Sequence, residues 1–192
     1  TSVHLISTRK QDFETLTQTI LHQRKNSPQS NRAIRHGIIN EELCRRRYVA
    51  HQARNGIFST TYPCGLVVDS TSPHICCSPD AIIMEKSSNN ISYGILECKC
   101  VFAEPNATLD DLIFSRENFC LERYCGQLRL HSGHPYYYQI IALMGILDLP
   151  WLDLCVMKNE ELHIERFTND ENTWSSIKTK LTNFYFNWFL IK

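Results

Sequence analysis

The chain has 192 residues, 20 basic and 20 acidic side chains and 43% hydrophobic residues, which suits one globular domain able to bury a core. No stretch is long and apolar enough to read as a membrane span. Nine cysteines, an odd count, with no secretory signal at the start point to reduced thiols in an intracellular compartment, the nucleus if the source is eukaryotic, and argue against a disulfide framework.

The neutral total hides a lopsided distribution. Residues 1–60 hold ten Lys/Arg against four Asp/Glu, a net of +6, and the remainder hold ten against sixteen. Arg24, Lys25, Arg32, Arg35, Arg45, Arg46, Arg47 and Arg54 form the basic part, and a phosphate backbone is a natural partner for it. Three consecutive arginines cannot share one face of a helix. Arg32, Arg35 and Arg45 are the expected phosphate contacts.

In chain order, Phe13, Leu16, Ile20 and Leu21 recur at helical spacing and predict an amphipathic helix over residues 12–22. A Ser27-Pro28 loop separates it from a second helix carrying Glu41, Leu43, Cys44 and Tyr48. A strand region opens at Gly56-Ile57. Residues 64–68 read as a strand, 69–73 as a turn, and 75–77 as a lead into Asp80. Ile82-Ile83-Met84 and Ile95-Leu96 flank the polar run 86–90, which predicts a β-hairpin. Ala103-Glu104-Pro105 ends that sheet segment, and a short helix follows over 109–115. A stronger helix covers 136–147 and puts Gln139 near its start. Residues 152–157 and 162–167 read as a closing hairpin, followed by a helix from about residue 171. The apolar run 185–191 reads as a core-facing helix terminus.

The expected fold is therefore α/β, a central mixed β-sheet flanked by helices. Its parts are a basic helical segment (1–55), a sheet-and-helix region (56–168) and a C-terminal helix (169–192).

The chemistry concentrates on the central hairpin. Asp80 enters one strand and Glu97 leaves the other; Glu97 and Lys99 are two apart, so strand alternation points both to one face while Cys98 faces away. Hard divalent ions prefer carboxylate and carbonyl oxygens, and Asp80, Glu97 and the Cys98 backbone carbonyl can supply them. An ammonium beside such an ion can position water and offset charge at phosphorus. An isolated Glu-x-Lys on a strand is usually a solvated pair of little consequence; here Ser78-Pro79-Asp80 precedes it in the same hairpin.

Four blocks in this order carry a resemblance: Gly37-Ile38-Ile39-Asn40-Glu41, Ser78-Pro79-Asp80, Glu97-Cys98-Lys99-Cys100, and His134-Pro135-Tyr136-Tyr137-Tyr138-Gln139. Together they are similar to the YqaJ or phage-lambda-type exonucleases of the PD-(D/E)XK nuclease superfamily. The resemblance implies a restriction-endonuclease-like core forming a single nuclease domain, either whole or excised from a longer chain. It implies metal at Asp80 and Glu97, a catalytic Lys99, and Glu41 and Gln139 completing the site. Mg²⁺, one ion or two, with Mn²⁺ able to substitute, is the implied cofactor. The implied substrate is linear duplex DNA digested from a 5′ end in recombination or repair.

Two departures stand out: Val101 where the family usually has Pro, and Ile141 where a second Gln is common. Ser2 is a candidate for holding a terminal 5′-phosphate, and His134 for facing substrate. Relatives differ in assembly, some closing into trimers, so a homo-oligomer or fused domains remain open. Two alternatives stand beside the exonuclease: a structure-selective or nonspecific DNA endonuclease, and an inactive DNA- or protein-binding module, with zinc at Cys120, Cys125, His131 and His134. The spacing of those four is atypical for zinc. Tyr136-Tyr137-Tyr138 is either a stacking platform for bases or part of the core, core being the commoner use.

Overall fold

A computed structural model of the chain describes residues 13–23, 32–88 and 90–191. Ser2, Arg24, Lys25 and the Ser27-Pro28 loop lie outside them.

The centre is a five-stranded mixed sheet in the order β1-β4-β5-β8-β9, formed by Phe58–Pro63, Ala81–Lys86, Ile91–Cys100, Trp151–Lys158 and Glu161–Thr168. Only β5 and β8 run parallel; β1-β4, β4-β5 and β8-β9 are antiparallel. A parallel pair needs a long crossover. Here it contains helix α3 (Leu109–Ser115), the small hairpin β6-β7 (Leu121–Tyr124, Gln127–Leu130) and helix α4 (Pro135–Leu147). The remaining elements are α1 (Phe13–Gln23), α2 (Arg32–Arg54), the short pair β2-β3 (Val67–Val68, Cys76–Cys77) and α5 (Glu171–Phe184).

Alternation along β5 and β8 divides the core between two faces. Leu96, Cys98 and Cys155 meet Cys44 and Tyr48 of α2 on one face. On the other, Ile95, Leu152, Leu154 and Val156 meet Ile140 to Met144 of α4, with Trp174 and Ile177 of α5 behind. Although α2 is 23 residues long, it buries only Cys44, Tyr48 and Gln52, a stripe at four-residue spacing that docks one side of the helix and leaves its first half projecting. All nine cysteines are free thiols, with the Cys44 and Cys155 sulfurs 3.5 Å apart.

A buried polar network fixes the rotation of α2 on the sheet. The Tyr48 hydroxyl donates to Asp153 at 2.7 Å, and Arg166 donates to both Asp153 oxygens at 2.7 and 2.8 Å. Arg166 also pairs with Glu85 and stacks on the Trp151 ring at 3.8 Å. Asp153 is 1% exposed, and each of its oxygens is bonded, as a carboxyl buried this deeply requires.

Local chemistry explains the element ends. Thr108 and Asp111 form a reciprocal capping box at α3. His134 caps α4 by accepting from the Tyr136 amide, Pro135 takes the first helical position, and Asp148 ends the helix in the left-handed region at φ 52°. Asp69 accepts from the Thr71 and Ser72 amides at 2.9 and 2.8 Å, so the turn read at 69–73 is present. Its ion pair with Lys178 at 2.7 Å ties β2-β3 to α5.

Three readings need correction. The strand expected over 64–68 shrinks to Val67–Val68. The sequence does not announce the β6-β7 hairpin; its turn is Cys125-Gly126, which adopts φ 49° and 81°, the two positive values a tight hairpin turn requires. The run 185–191 is not core-facing: Phe186, Leu190 and Ile191 are exposed, and Tyr185–Phe189 forms a π-helical turn in which Tyr185 stacks on His74 at 4.8 Å. Phe189 packs against the small cluster of Leu16 and Phe184, and Trp188 lies against Phe13 at its edge.

Gly145 in α4 faces the Trp174 ring so closely that an added Cβ falls 2.3 Å from it. Gly145→Ala therefore lowers the thermal unfolding midpoint, even though alanine favours a helix by about 1 kcal/mol over glycine, because overpacking costs roughly 1–3 kcal/mol. An unchanged or raised midpoint contradicts the packing described.

Candidate active site

The hairpin β4-β5 and the helices α2 and α4 bring five of the expected residues together: Asp80, Glu97, Lys99, Gln139 and Glu41. Asp80 stands at the entry of β4, and its Oδ2 accepts the Cys98 amide at 2.7 Å. The Cys98 side chain packs with Cys44 and Tyr48 on the α2 face, which leaves Glu97 and Lys99 on the opposite one. Lys99 Nζ is paired with Glu97 Oε1, and Gln139 Nε2 from α4 donates to the same oxygen at 2.6 Å. Glu97 is 3% exposed, and its Oε2 is buried without a partner.

Glu41 approaches from α2. Burial raises its pKa first, and repulsion from Asp80 raises it further. Asp80 is raised by burial, against the Cys98 amide and Lys99, which favour its charge. Glu97 is pushed up to about 7, by burial foremost and then by Asp80 and Glu41, against the attraction of Lys99. Burial pulls Lys99 down, but the Glu97 carboxylate outweighs it and the ammonium ends above its ordinary range. Three carboxylates that repel one another around an unbonded buried oxygen are a poor arrangement for a protein alone and a good one for a hard cation. Among the described residues, no group of three or more His, Cys, Asp or Glu side chains is placed so as to hold a metal ion together. The donor set still fits oxygen-seeking Mg²⁺ or Mn²⁺, with Asp80 and Glu97 as the natural holders.

The zinc alternative loses its geometry. Cys120 is buried in the core, whereas Cys125 sits exposed at the tip of the β6-β7 turn, and they join no metal-holding group among the described residues.

The other expected contacts separate. Arg32 and Arg35 are exposed on the first turns of α2. The arginine triplet fans out: Arg45 and Arg46 pair with Glu42, while Arg47 crosses to the Asn159 carbonyl and Glu160 in the β8-β9 turn. His134 is committed as the α4 cap, and its ring packs edge-on to Tyr136 at 4.4 Å.

Tyr136 is the residue the sequence reading undervalued. Its ring lies 4.6 Å from Lys99 Nζ, within cation–π range of the ammonium. The signal was available in the spacing, since Tyr136 is three residues before Gln139 and shares its helix face. All three tyrosines are half-buried against the core, so Tyr136 serves packing and site together.

Both sequence departures have structural reasons. The Val101 amide donates to the Met157 carbonyl at 2.8 Å, a bond proline cannot make. Ile141 is 2% exposed within the core, where a second glutamine would need buried partners.

No individual curated protein sequence matches the chain. Among solved structures, the fold is similar to that of the alkaline exonuclease LHK-Exo from Laribacter hongkongensis, with TM-score 0.66, 18% identity, and coverage of 97% of this chain and 84% of that one. The LHK-Exo complex with dAMP is similar to the same degree, with 85% of that chain covered. At this identity the likeness establishes the α/β architecture. The family is established separately: residues 4–144 match the YqaJ-like viral recombinase domain, and the chain belongs to that family.

Proposed function

We propose that this chain is a divalent-metal-dependent deoxyribonuclease, most specifically a 5′-to-3′ exonuclease on linear double-stranded DNA in recombination or repair. The observation that carries it is Glu97: a buried carboxylate held at one oxygen by Lys99 and Gln139, bare at the other, and next to Asp80. Membership of a recombinase family and the likeness to an alkaline exonuclease support the same reading.

In this reading Asp80, Glu97 and the Cys98 carbonyl hold Mg²⁺, one ion or two, with Mn²⁺ able to substitute. Once bound, the ion supplies an activated water and neutralises charge on the leaving oxygen. The remaining work falls to this chain's own groups. Lys99, steadied by the Tyr136 ring, orients the attacking water and offsets negative charge growing on the phosphoryl oxygens. Gln139 keeps Glu97 from rotating away. Glu41, delivered by α2, orients water or the outer coordination shell. The exposed Arg32 and Arg35 track the DNA backbone, and Ser2, outside the described residues, is assigned to the 5′-phosphate. No helix among the described residues is long and apolar enough to cross a membrane.

Lys99→Ala and Asp80→Ala each lower turnover of an end-labelled linear duplex in Mg²⁺ by about 10²-fold or more, and a chelator abolishes cleavage by the parent. Wild-type turnover in either variant defeats the assignment. A covalently closed circle is spared by the exonuclease and degraded by the endonuclease alternative.

The raised carboxylates also set a pH dependence. A carboxylate whose pKa is higher in the folded state loses stability as pH rises from its unfolded value through its folded one. For Glu97 that window runs from 4.5 to about 7. The metal-free protein therefore becomes less stable across it, and Mg²⁺ offsets the loss at neutral pH. Asp80→Asn relieves part of the repulsion and raises the metal-free midpoint by roughly 2–4 °C, the shift expected for about 1 kcal/mol at this size, while removing the further rise that Mg²⁺ gives the parent. Calorimetry with and without Mg²⁺ checks both effects.

A further inference from the structure

We propose that Arg45 contacts the substrate in this same site, its Nε–H donating to a non-bridging oxygen of the phosphodiester being cut. The inference rests on the nuclease reading above and adds a second cation, one that acts with Lys99 on Glu41 and Asp80.

Arg45 lies one turn after Glu41 on α2, so the two side chains share a helix face. Its side chain is only 13% exposed, against 76% for Arg46. One end of its guanidinium, Nη2, is held by Glu42. Its Nε is buried and has no acceptor. Its charge is felt at both Glu41 and Asp80, where it favours the ionised forms, yet neither carboxylate accepts the idle N–H.

A desolvated guanidinium donor left without an acceptor is costly, and the planar fork of arginine is matched to phosphate oxygens. A phosphodiester entering between Glu41 and Lys99 brings the missing acceptor. The neighbouring arginines supply the contrast: Arg46 shares Glu42 from the solvent side, and Arg47 is committed to the β8-β9 turn. Glu42 acts as the tether that keeps the Arg45 fork oriented while Nε stays idle.

The test uses the complete chain and single-turnover cleavage of a 5′-phosphorylated linear duplex at saturating enzyme, with Arg46→Gln as control. Arg45→Gln slows the saturating rate by about 10²-fold and Arg45→Lys by about tenfold, whereas Arg46→Gln stays within twofold. A single Rp or Sp phosphorothioate at the cleaved position adds a readout that a merely structural arginine leaves unmoved: one diastereomer slows the parent, and that penalty shrinks in both Arg45 variants. Thermal unfolding establishes that each variant is folded. Where Arg45→Gln is not, the phosphorothioate comparison in Arg45→Lys decides alone.

An Arg45→Gln rate within threefold of the parent overturns the proposal. So does an unchanged diastereomer penalty, or a loss confined to the half-saturating DNA concentration. In each of those cases Asp80→Ala remains inactive, so the nuclease reading survives. A parent chain that cleaves no DNA in Mg²⁺ or Mn²⁺ overturns both.

Discussion

The two-residue alternation of β5 is the constraint on which the rest of the molecule depends. Flanked by β4 on one side and β8 on the other, β5 cannot rotate about its axis or slip by one residue without turning every side chain to the wrong face. That locks Leu96 and Cys98 under α2 while Ile95 joins the core beneath α4. It also turns Glu97 and Lys99 together toward Gln139, and aims the Cys98 amide at Asp80. The site is a by-product of sheet register, which is the most rigid device a fold of this kind has for holding charged groups in place.

The site is also where the fold is least at ease. Glu41, Asp80 and Glu97 are held where burial and mutual repulsion disfavour their charge, and Glu97 Oε2 and Arg45 Nε are buried without partners. Unsatisfied buried groups are uncommon in folded proteins; one on a carboxylate that Asp80 and Glu41 also repel marks a place arranged for something the protein chain itself does not supply. The contrast with Asp153 is instructive. It is as deeply buried, yet Tyr48 and Arg166 satisfy both its oxygens, and it serves to dock α2. A saturated network makes scaffold, and an unsaturated one makes a binding site.

The docking of α2 connects these two kinds of buried charge. Tyr48 and Gln52 anchor its second half through the Asp153 network, and Arg47 adds a tie to the β8-β9 turn. Glu41 and Arg45 lie upstream on the same helix, so the scaffold network sets how far they reach toward Asp80. The first turns of α2, with Arg32 and Arg35 exposed, then extend the basic charge away from the sheet.

Much of this was legible in the residues alone. Alternation around Ile82 and Ile95 identified the hairpin, spacing put Glu97 and Lys99 on one face, and four ordered blocks indicated the family, because these depend on neighbours a few positions apart. The two-residue turn at Cys125-Gly126 escaped notice, since a positive φ at cysteine has no compositional signature. The aromatic run 185–191 misled because hydrophobicity does not say which face a helix end presents. What the sequence by itself determined is the set of chemical groups and their local geometry: two carboxylates and an amine on adjoining strands, and a further carboxylate on a helix. Only the tertiary structure decided which arginine of three turns inward, that Tyr136 backs the lysine, and that one oxygen of Glu97 is left bare. Those outcomes depend on which elements pack together across long stretches of chain, and local spacing carries no record of that.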